Sequence, residues 1–497
     1  MAAGKKYKIL FVTSELFPFV KTGGLADVSS SLPQELAELG HEVRIVVPRY
    51  GAIDTRKFKI HDVVRLKNFS LKLGKKEALF SVKSSFLPVA RNRVQVYFLD
   101  NDEYFGSRKS PYIDMLKGDW YPDNYERFTL FSRGVIELVK KLGWAPDIIH
   151  ANDWQTALVP AFLKTTYKED DFFAKCKSVL TIHNFLYGGE FASETFSSTG
   201  LPDEYKTEDF TIHNGMMNFL KAGIRFADHV NTVSPGYRNE VLAEPELTNG
   251  LGPYLANRGE AFTGVINGID RGVWNPATDK LIVKNYDIRS IDNKYVNKKN
   301  LVERFGFTYD NTLPLFSLIS RLYDYKGIDL VAEAIPELVK MNIQIVLLGT
   351  GEMKYQSIFE EYSKKYPSKF ACYLGFNDEL AHLIEAGSDF YLMPSKTEPC
   401  GLNQMYSQLY GTIPVVRRTG GLKDTVTGLG GSDANPTGLV FEDYTAKALI
   451  DQVRVAADLY KRKDEMLALI KNGMKCDFSW QLSAKKYTEL YKRVFSV

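Results

Sequence analysis

Phe390-Tyr391-Leu392-Met393-Pro394-Ser395-Lys396-Thr397-Glu398-Pro399-Cys400-Gly401-Leu402-Asn403-Gln404 opens as an apolar run and closes as a helix-compatible one. The run Phe390 to Met393 reads as a buried strand, and Gly401 to Tyr410 as the helix after it. The loop between them carries one carboxylate, Glu398. Proline is favoured at the first helical position, where its missing N–H is not needed. Pro399 therefore places Glu398 at the N-cap, with an extended backbone. The amides of Cys400, Gly401 and Leu402 then point unpaired into the space beside the carboxylate. Free amides next to an acid suit a ligand with hydroxyls and an anionic group, such as a sugar phosphate. The plainer alternative is a helix start with an acid placed for the dipole.

Working outward, a second short strand, Thr412 to Val416, leads into Arg417-Arg418-Thr419-Gly420-Gly421-Leu422-Lys423-Asp424. Two glycines after a strand let a backbone approach a phosphate closely. Upstream, the apolar strand Leu315 to Ser320 ends in Arg321, and Lys326-Gly327 begins a helix running to about Val339. A guanidinium fork at the strand end and an ammonium at the next helix start suit an anion clamp; the plainer alternative is surface charge. The same grammar opens the chain: a strand through Val12, a loop with Glu15 and Lys21-Thr22-Gly23-Gly24-Leu25-Ala26-Asp27, a helix from about Val28 to Leu39, and a strand through Pro48. That is the start of a doubly wound sheet with a phosphate-binding turn. Thr-Gly-Gly-Leu-x-Asp thus occurs twice, at 22–27 and 419–424. Either two lobes each offer a glycine loop, or one good turn has arisen twice.

At 497 residues the chain is too long for one core. Its 44% apolar and 25% charged residues are ordinary for a globular protein. A net charge of +3 points away from nucleic-acid and membrane partners. No apolar run reaches the roughly 20 residues of a bilayer span. The N-terminus enters a strand at Tyr7 without a cleavable apolar segment. Four scattered cysteines form neither a metal pattern nor a disulfide framework, so a reducing cytoplasm is expected. Asp100-Asn101-Asp102 formally matches a metal-binding Asp-x-Asp, but no supporting His or carboxylate cluster accompanies it; a polar turn is the better reading.

Two further strand ends carry chemistry. The strand Pro146 to His150 leads to Asp153 and Trp154, and Ser178 to Ile182 leads to His183 and Asn184. Ligands bind at the carboxyl ends of strands in open α/β sheets. A lone histidine there is otherwise a hydrogen-bonded core residue. Glycines and a proline between 242 and 263 read as the crossing between lobes.

Together these motifs resemble the bacterial glycogen synthase and plant starch synthase family over essentially the whole chain. The resemblance rests on Lys21 to Asp27, His183-Asn184, Ser320-Arg321-Leu322 with Lys326-Gly327, Pro394-Ser395 with Glu398 to Leu402, and Arg418 to Leu422, supported by Tyr121-Pro122-Asp123-Asn124 and Phe478-Ser479-Trp480. Lys396-Thr397, Asn403, Gln155 and the segment Phe185 to Gly188 depart from the usual pattern. The resemblance implies an α/β fold of two Rossmann-like lobes facing a central cleft, the GT-B arrangement. Residues 1–250 would form the acceptor-side lobe, completed by a last helix in 482–497, and residues 251–481 the donor-side lobe.

The implied reaction is transfer of glucose from ADP-glucose to the non-reducing 4-OH of an α-1,4-glucan, with retention and without a metal or other cofactor. Glu398, His183, Arg321 and Lys326 would be catalytic. Lys21, Gly23, Gly24, Asp27, Asn184, Cys400, Gly401, Leu402, Thr419 and Gly420 would bind the donor. Asp153 and Trp154 would meet the acceptor. The alternatives are a UDP-glucose enzyme or one with another acceptor, and a non-catalytic glucan-binding protein. A dinucleotide oxidoreductase would want Gly-x-Gly-x-x-Gly, whose spacing the first loop lacks.

Overall fold

The computed structural model describes residues 5–74, 76–88, 92–431 and 435–496. The chain divides into two compact units: Met1–Val233 with Arg238–Val265 and Trp480–Val497, and Ser234–Tyr237 with Ile266–Ser479.

In the first unit ten strands form one sheet among the described residues. Its order runs Phe262–Gly264, His229–Thr232, Lys177–Ile182, Ile148–Asn152, Lys8–Val12, Glu42–Pro48, Gln95–Asp100, Lys76–Phe86 and His61–Asp62, with Phe69–Leu73 pairing on Lys76–Phe86. Pairing is parallel from Phe262–Gly264 to Gln95–Asp100 and antiparallel beyond. Strands covered by helices on both faces lose the polar alternation of a half-exposed sheet, and Ile9 to Val12 are all fully buried. From Lys8–Val12 the chain first builds outward through Glu42–Pro48, then returns to add Ile148–Asn152 on the other side. The order reverses between Lys8–Val12 and Ile148–Asn152, which makes their carboxyl ends the binding position of this sheet.

The last helix, Trp480–Val494, packs on helix Gly24–Glu38. Its Tyr491 hydroxyl lies 2.8 Å from Nδ1 of His150, and its Tyr487 hydroxyl accepts from Asn231 at 3.1 Å. The first unit extends to Val265, just beyond the stretch 242–263 read as the crossing, because Phe262–Gly264 adds a parallel strand to His229–Thr232.

The second unit holds a six-stranded parallel sheet among the described residues: Phe370–Leu374, Gln344–Gly351, Leu315–Leu322, Phe390–Met393, Ile413–Arg417, Leu439–Phe441. Its order reverses between Leu315–Leu322 and Phe390–Met393. A large apolar cluster, including Phe316, Ile335, Phe390 and Val453, fills the space between sheet and helices.

Two element boundaries differ from the sequence reading. The first helix begins at Gly24, so Asp27 lies in its first turn rather than in the loop. The helix after Glu398 begins at Asn403, and Glu398 is not its N-cap. Gly401 takes φ +73, a left-handed conformation that no α-helix contains, so the chain stays irregular past Pro399 despite the proline's preference. Among the described residues no helix is long and apolar enough to cross a membrane.

Candidate functional site

In the second unit the reversal of strand order gathers Arg321, Lys326 and Glu398. Strand Leu315–Leu322 carries Arg321 in its last turn of pairing, opposite Thr350. Arg321 is exposed, and its guanidinium makes no hydrogen bond or ion pair among the described residues. Lys326 closes the short turn Asp324–Lys326 before helix Ile328–Leu338. The neighbouring loop is tied to that turn by Lys396, whose N–H donates to the Tyr325 carbonyl at 3.0 Å. This brings the Lys326 Nζ within 2.6 Å of Glu398 Oε2.

Glu398 is 4% exposed. A carboxylate that dry needs a cation or several donors. Lys326 and the Ser395 hydroxyl, at 3.0 Å, supply them, and both bonds fall on Oε2. Oε1 accepts no hydrogen bond among the described residues. The charges of Lys326 and Glu398 cancel, which leaves Arg321 as the uncompensated cation of the group. Arg417 and Arg418 are otherwise engaged, with Lys396 O at 2.8 Å and with Glu442 at 2.6 Å.

The amides of Cys400, Gly401 and Leu402 donate no hydrogen bond among the described residues. They are open because the loop is irregular, not because they start a helix. Gln404 holds the loop's shape by donating to the carbonyls of Cys400 and Gly401 at 3.0 and 3.1 Å. Cys400 is buried, which pushes its thiol up to about 12 and leaves it inert. Thr419 is the extended residue before helix Gly420–Thr425, and the Gly421 amide donates to the Glu398 carbonyl at 2.9 Å. Asn403 donates to the Tyr391 hydroxyl at 2.6 Å. Downstream of strand Phe370–Leu374, the Phe376 ring is 85% exposed. Sequence reading missed it, since one aromatic among many carries no signal before its strand end is known.

In the first unit the reversal brings together the Glu15 loop, Asp153 and His183. Glu15 is buried and fully used. It accepts from the Thr22 amide and hydroxyl, the Gly23 amide and the Tyr112 hydroxyl, at 2.5, 2.6, 3.1 and 2.8 Å. It braces the glycine turn from inside, a role not legible from the sequence. Lys21 pairs with Asp27 at 2.8 Å, and both are partly exposed. A Cβ placed on Gly24 would meet nothing within 4 Å.

Asp153 has φ +59, unusual for a residue with a side chain. Its carboxylate accepts the His183 amide at 2.6 Å, so it positions the His183 loop instead of facing outward for an acceptor. Burial raises its pKa to about 7. His183 Nε2 lies 3.0 Å from Asn152 Oδ1. The Asn152 amide nitrogen donates to Val12 O at 3.0 Å, so Oδ1 is the acceptor and His183 is protonated on Nε2. Burial depresses the His183 pKa to about 3. At neutral pH the ring is therefore uncharged, with Nδ1 as an acceptor. Asn184 turns inward on its own loop, where its side chain accepts the Leu186 amide at 3.0 Å.

Trp154, expected above on the acceptor side, is 3% exposed. It packs edge-on against Phe128 at 5.0 Å and Phe191 at 5.8 Å. An indole in that position supports the surrounding loops and does not present a face. Asp100 and Asp102 both bond Arg49, at 2.6 and 2.9 Å, as a polar turn would. Among the described residues no three His, Cys, Asp or Glu side chains are gathered as a metal-binding group.

Both units carry their chemistry-bearing side chains at the strand-order reversal of a Rossmann-like sheet. Residues 8–257 match the model of the starch synthase catalytic domain, and residues 302–475 that of glycosyl transferases group 1. The chain is a glycosyltransferase of the GT-B fold. A glycogen synthase of Geotalea uraniireducens is 42% identical over 490 residues, 98% of each chain. One of Thermotoga maritima is 41% identical over 492 residues, 98% of this chain and 99% of the relative. The catalytic domain of starch synthase IV from Arabidopsis thaliana, solved bound to ADP and acarbose, superposes with a TM-score of 0.89 at 30% identity, covering 99% of this chain and 100% of that one. The chain belongs to the glycogen and starch synthase family.

Proposed function

We propose that the chain transfers glucose from ADP-glucose to the 4-OH at the non-reducing end of an α-1,4-glucan, with retention of anomeric configuration. The observation that carries this reading is the group formed by exposed Arg321, Lys326, and Glu398 with one open oxygen, beside three open amides. The starch synthase IV neighbour's ADP supports the donor, and its acarbose an acceptor built of sugars.

Arg321 and Lys326 meet the diphosphate and stabilise the charge that grows as its bond to the anomeric carbon breaks. Glu398 Oε1 and the amides of Cys400, Gly401 and Leu402 hold the glucose hydroxyls, with Thr419 and Gly420 beside them. A retaining hydrolase needs a second carboxylate close by. A nucleotide leaving group removes that need, because the departing phosphate oxygen takes the proton of the incoming 4-OH on the same face. The C1–O bond to phosphate breaks, the C1–O4 bond forms, and ADP leaves. Positive charge comes from the two side chains, so the reading requires no metal.

From the first unit, Lys21, Gly23, Gly24 and Asp27 serve the diphosphate, and His183 Nδ1 accepts a sugar hydroxyl with Asn184 beside it. Asp153 and Trp154 act on the acceptor side through the loops they hold. The reading places the reaction in the cytoplasm. The test is release of ADP or UDP from ADP-glucose and UDP-glucose, each with and without glycogen. Glucan-dependent ADP release is expected; faster release from UDP-glucose would overturn the donor assignment, and glycogen binding without nucleotide release would overturn the enzymatic one.

A further inference from the structure

We infer that the exposed faces of Trp120 and Tyr187 form a sugar-stacking subsite that holds the glucan acceptor beyond its reacting end. The inference rests on the acceptor reading proposed above. Residues 112–121 form a small hairpin: Tyr121 N donates to Tyr112 O at 3.0 Å, and Asp114 N to Asp119 O at 2.7 Å. The hairpin holds Trp120 at 47% exposure beside Tyr187 at 46%. Exposed indoles are uncommon, and here the ring is not loose. Tyr112 stacks behind it at 6.1 Å and 28°, and buried Trp154 lies 6.2 Å away. Tyr187 flanks it at 6.0 Å with a 43° tilt.

The two rings are continuous with the groups already assigned in this unit. The Tyr112 hydroxyl is held by Glu15, the carboxylate that braces the Thr22–Gly23 turn. Tyr187 lies on the loop that begins with His183. Flat, rigidly backed rings with polar surroundings suit the C–H faces of glucose, and aromatic faces favour such partners at little conformational cost. An α-1,4-glucan is a curved chain, so successive glucosyl faces tilt, as these rings do. A protein partner would instead use the hairpin tip, where Leu116 is 98% and Met115 74% exposed.

The test is steady-state ADP release at saturating ADP-glucose against maltose, maltoheptaose and glycogen, for Trp120→Ala, Trp120→Tyr, Tyr187→Ser and Leu116→Ser, with migration in glycogen-containing native gels as a second readout. Trp120→Ala and Tyr187→Ser are expected to raise the KM for maltoheptaose and glycogen roughly three- to tenfold, the size of one lost ring contact. The KM for ADP-glucose stays put, Trp120→Tyr recovers most of the loss, and Leu116→Ser behaves as the parent. If Trp120→Ala does not fold, Tyr187→Ser and Trp120→Tyr still decide. Unchanged glucan KM and gel retardation in folded Tyr187→Ser and Trp120→Ala overturn the subsite, as does a loss confined to Leu116→Ser. If the parent is retarded by glycogen through these rings yet releases no ADP, the subsite stands and the proposed reaction falls.

Discussion

The sequence Thr-Gly-Gly-Leu-x-Asp occurs once in each unit, each time beside a buried glutamate, and the two copies are built differently. In the first, Glu15 spends both carboxylate oxygens on the turn itself and on Tyr112, and space is left open at Gly24. In the second, the turn leans on Glu398 through its main chain, and a Cβ on Gly421 would lie 2.2 Å from the Cys400 carbonyl oxygen. The side chain of Glu398 is thereby left for Lys326, Ser395 and one further partner. Identical letters thus serve an open turn braced by an acid in one unit, and a close-packed turn that frees an acid in the other.

The largest effect should come from the second unit's acid and its cation. Glu398→Gln and Lys326→Ala are each expected to lower turnover by roughly 10²–10³, about 3–4 kcal/mol, with the fold retained. ADP-release kinetics and circular dichroism check this, and near-parental turnover in either variant would erase the distinction between the two glutamates. Next comes Glu15→Ala, which takes the acceptor from two amides and two hydroxyls and should cost roughly 2–4 kcal/mol of stability. Denaturant unfolding measures it; unchanged stability with lost turnover would make Glu15 a reacting group and not a brace.

The glycines sharpen the contrast. Gly421→Ala forces the Cys400 loop to move and should destabilise by about 1–3 kcal/mol. Gly24→Ala meets no atom and should leave the melting temperature level or slightly higher, while raising the KM for ADP-glucose if a diphosphate occupies that space. Equal melting losses in both would contradict the packing difference.

The net effect on pH dependence is the smallest, because two buried groups act in opposite directions. Asp153 titrates near 7 in the fold against 3.8 unfolded, so its contribution to stability falls as pH rises from about 4 to 7. His183 titrates near 3 against 6.5, so its contribution rises over about pH 3 to 6.5. The two oppose each other over most of that range. Asp153→Asn removes the first, and melting temperature should then climb more steeply with pH between about 4 and 6.5. A parallel profile would show that Asp153 is not held in its raised state.

Much of this was legible beforehand. Strand ends are marked by apolar runs that stop at charged or glycine-rich residues, which placed Arg321, Lys326, His183 and Glu398 at carboxyl ends. The local preference of Pro399 starts the helix after Glu398 too early, because it takes no account of the left-handed backbone that the loop imposes on Gly401. The brace by Glu15 and the burial of Trp154 depend on partners distant in sequence, Tyr112 and Phe191, and no local pattern encodes them. Trp120 carries no signal in the sequence, since the exposure of a tryptophan is a property of the packed hairpin.

The helix Trp480–Val494 covers the sheet of the first unit from the far end of the chain, with its tyrosines on His150 and Asn231. The first unit is therefore completed by residues that follow the second unit in the sequence. Proteolytic clipping near residue 479 would uncover that sheet, so a shortened product forfeits the half that was synthesised first.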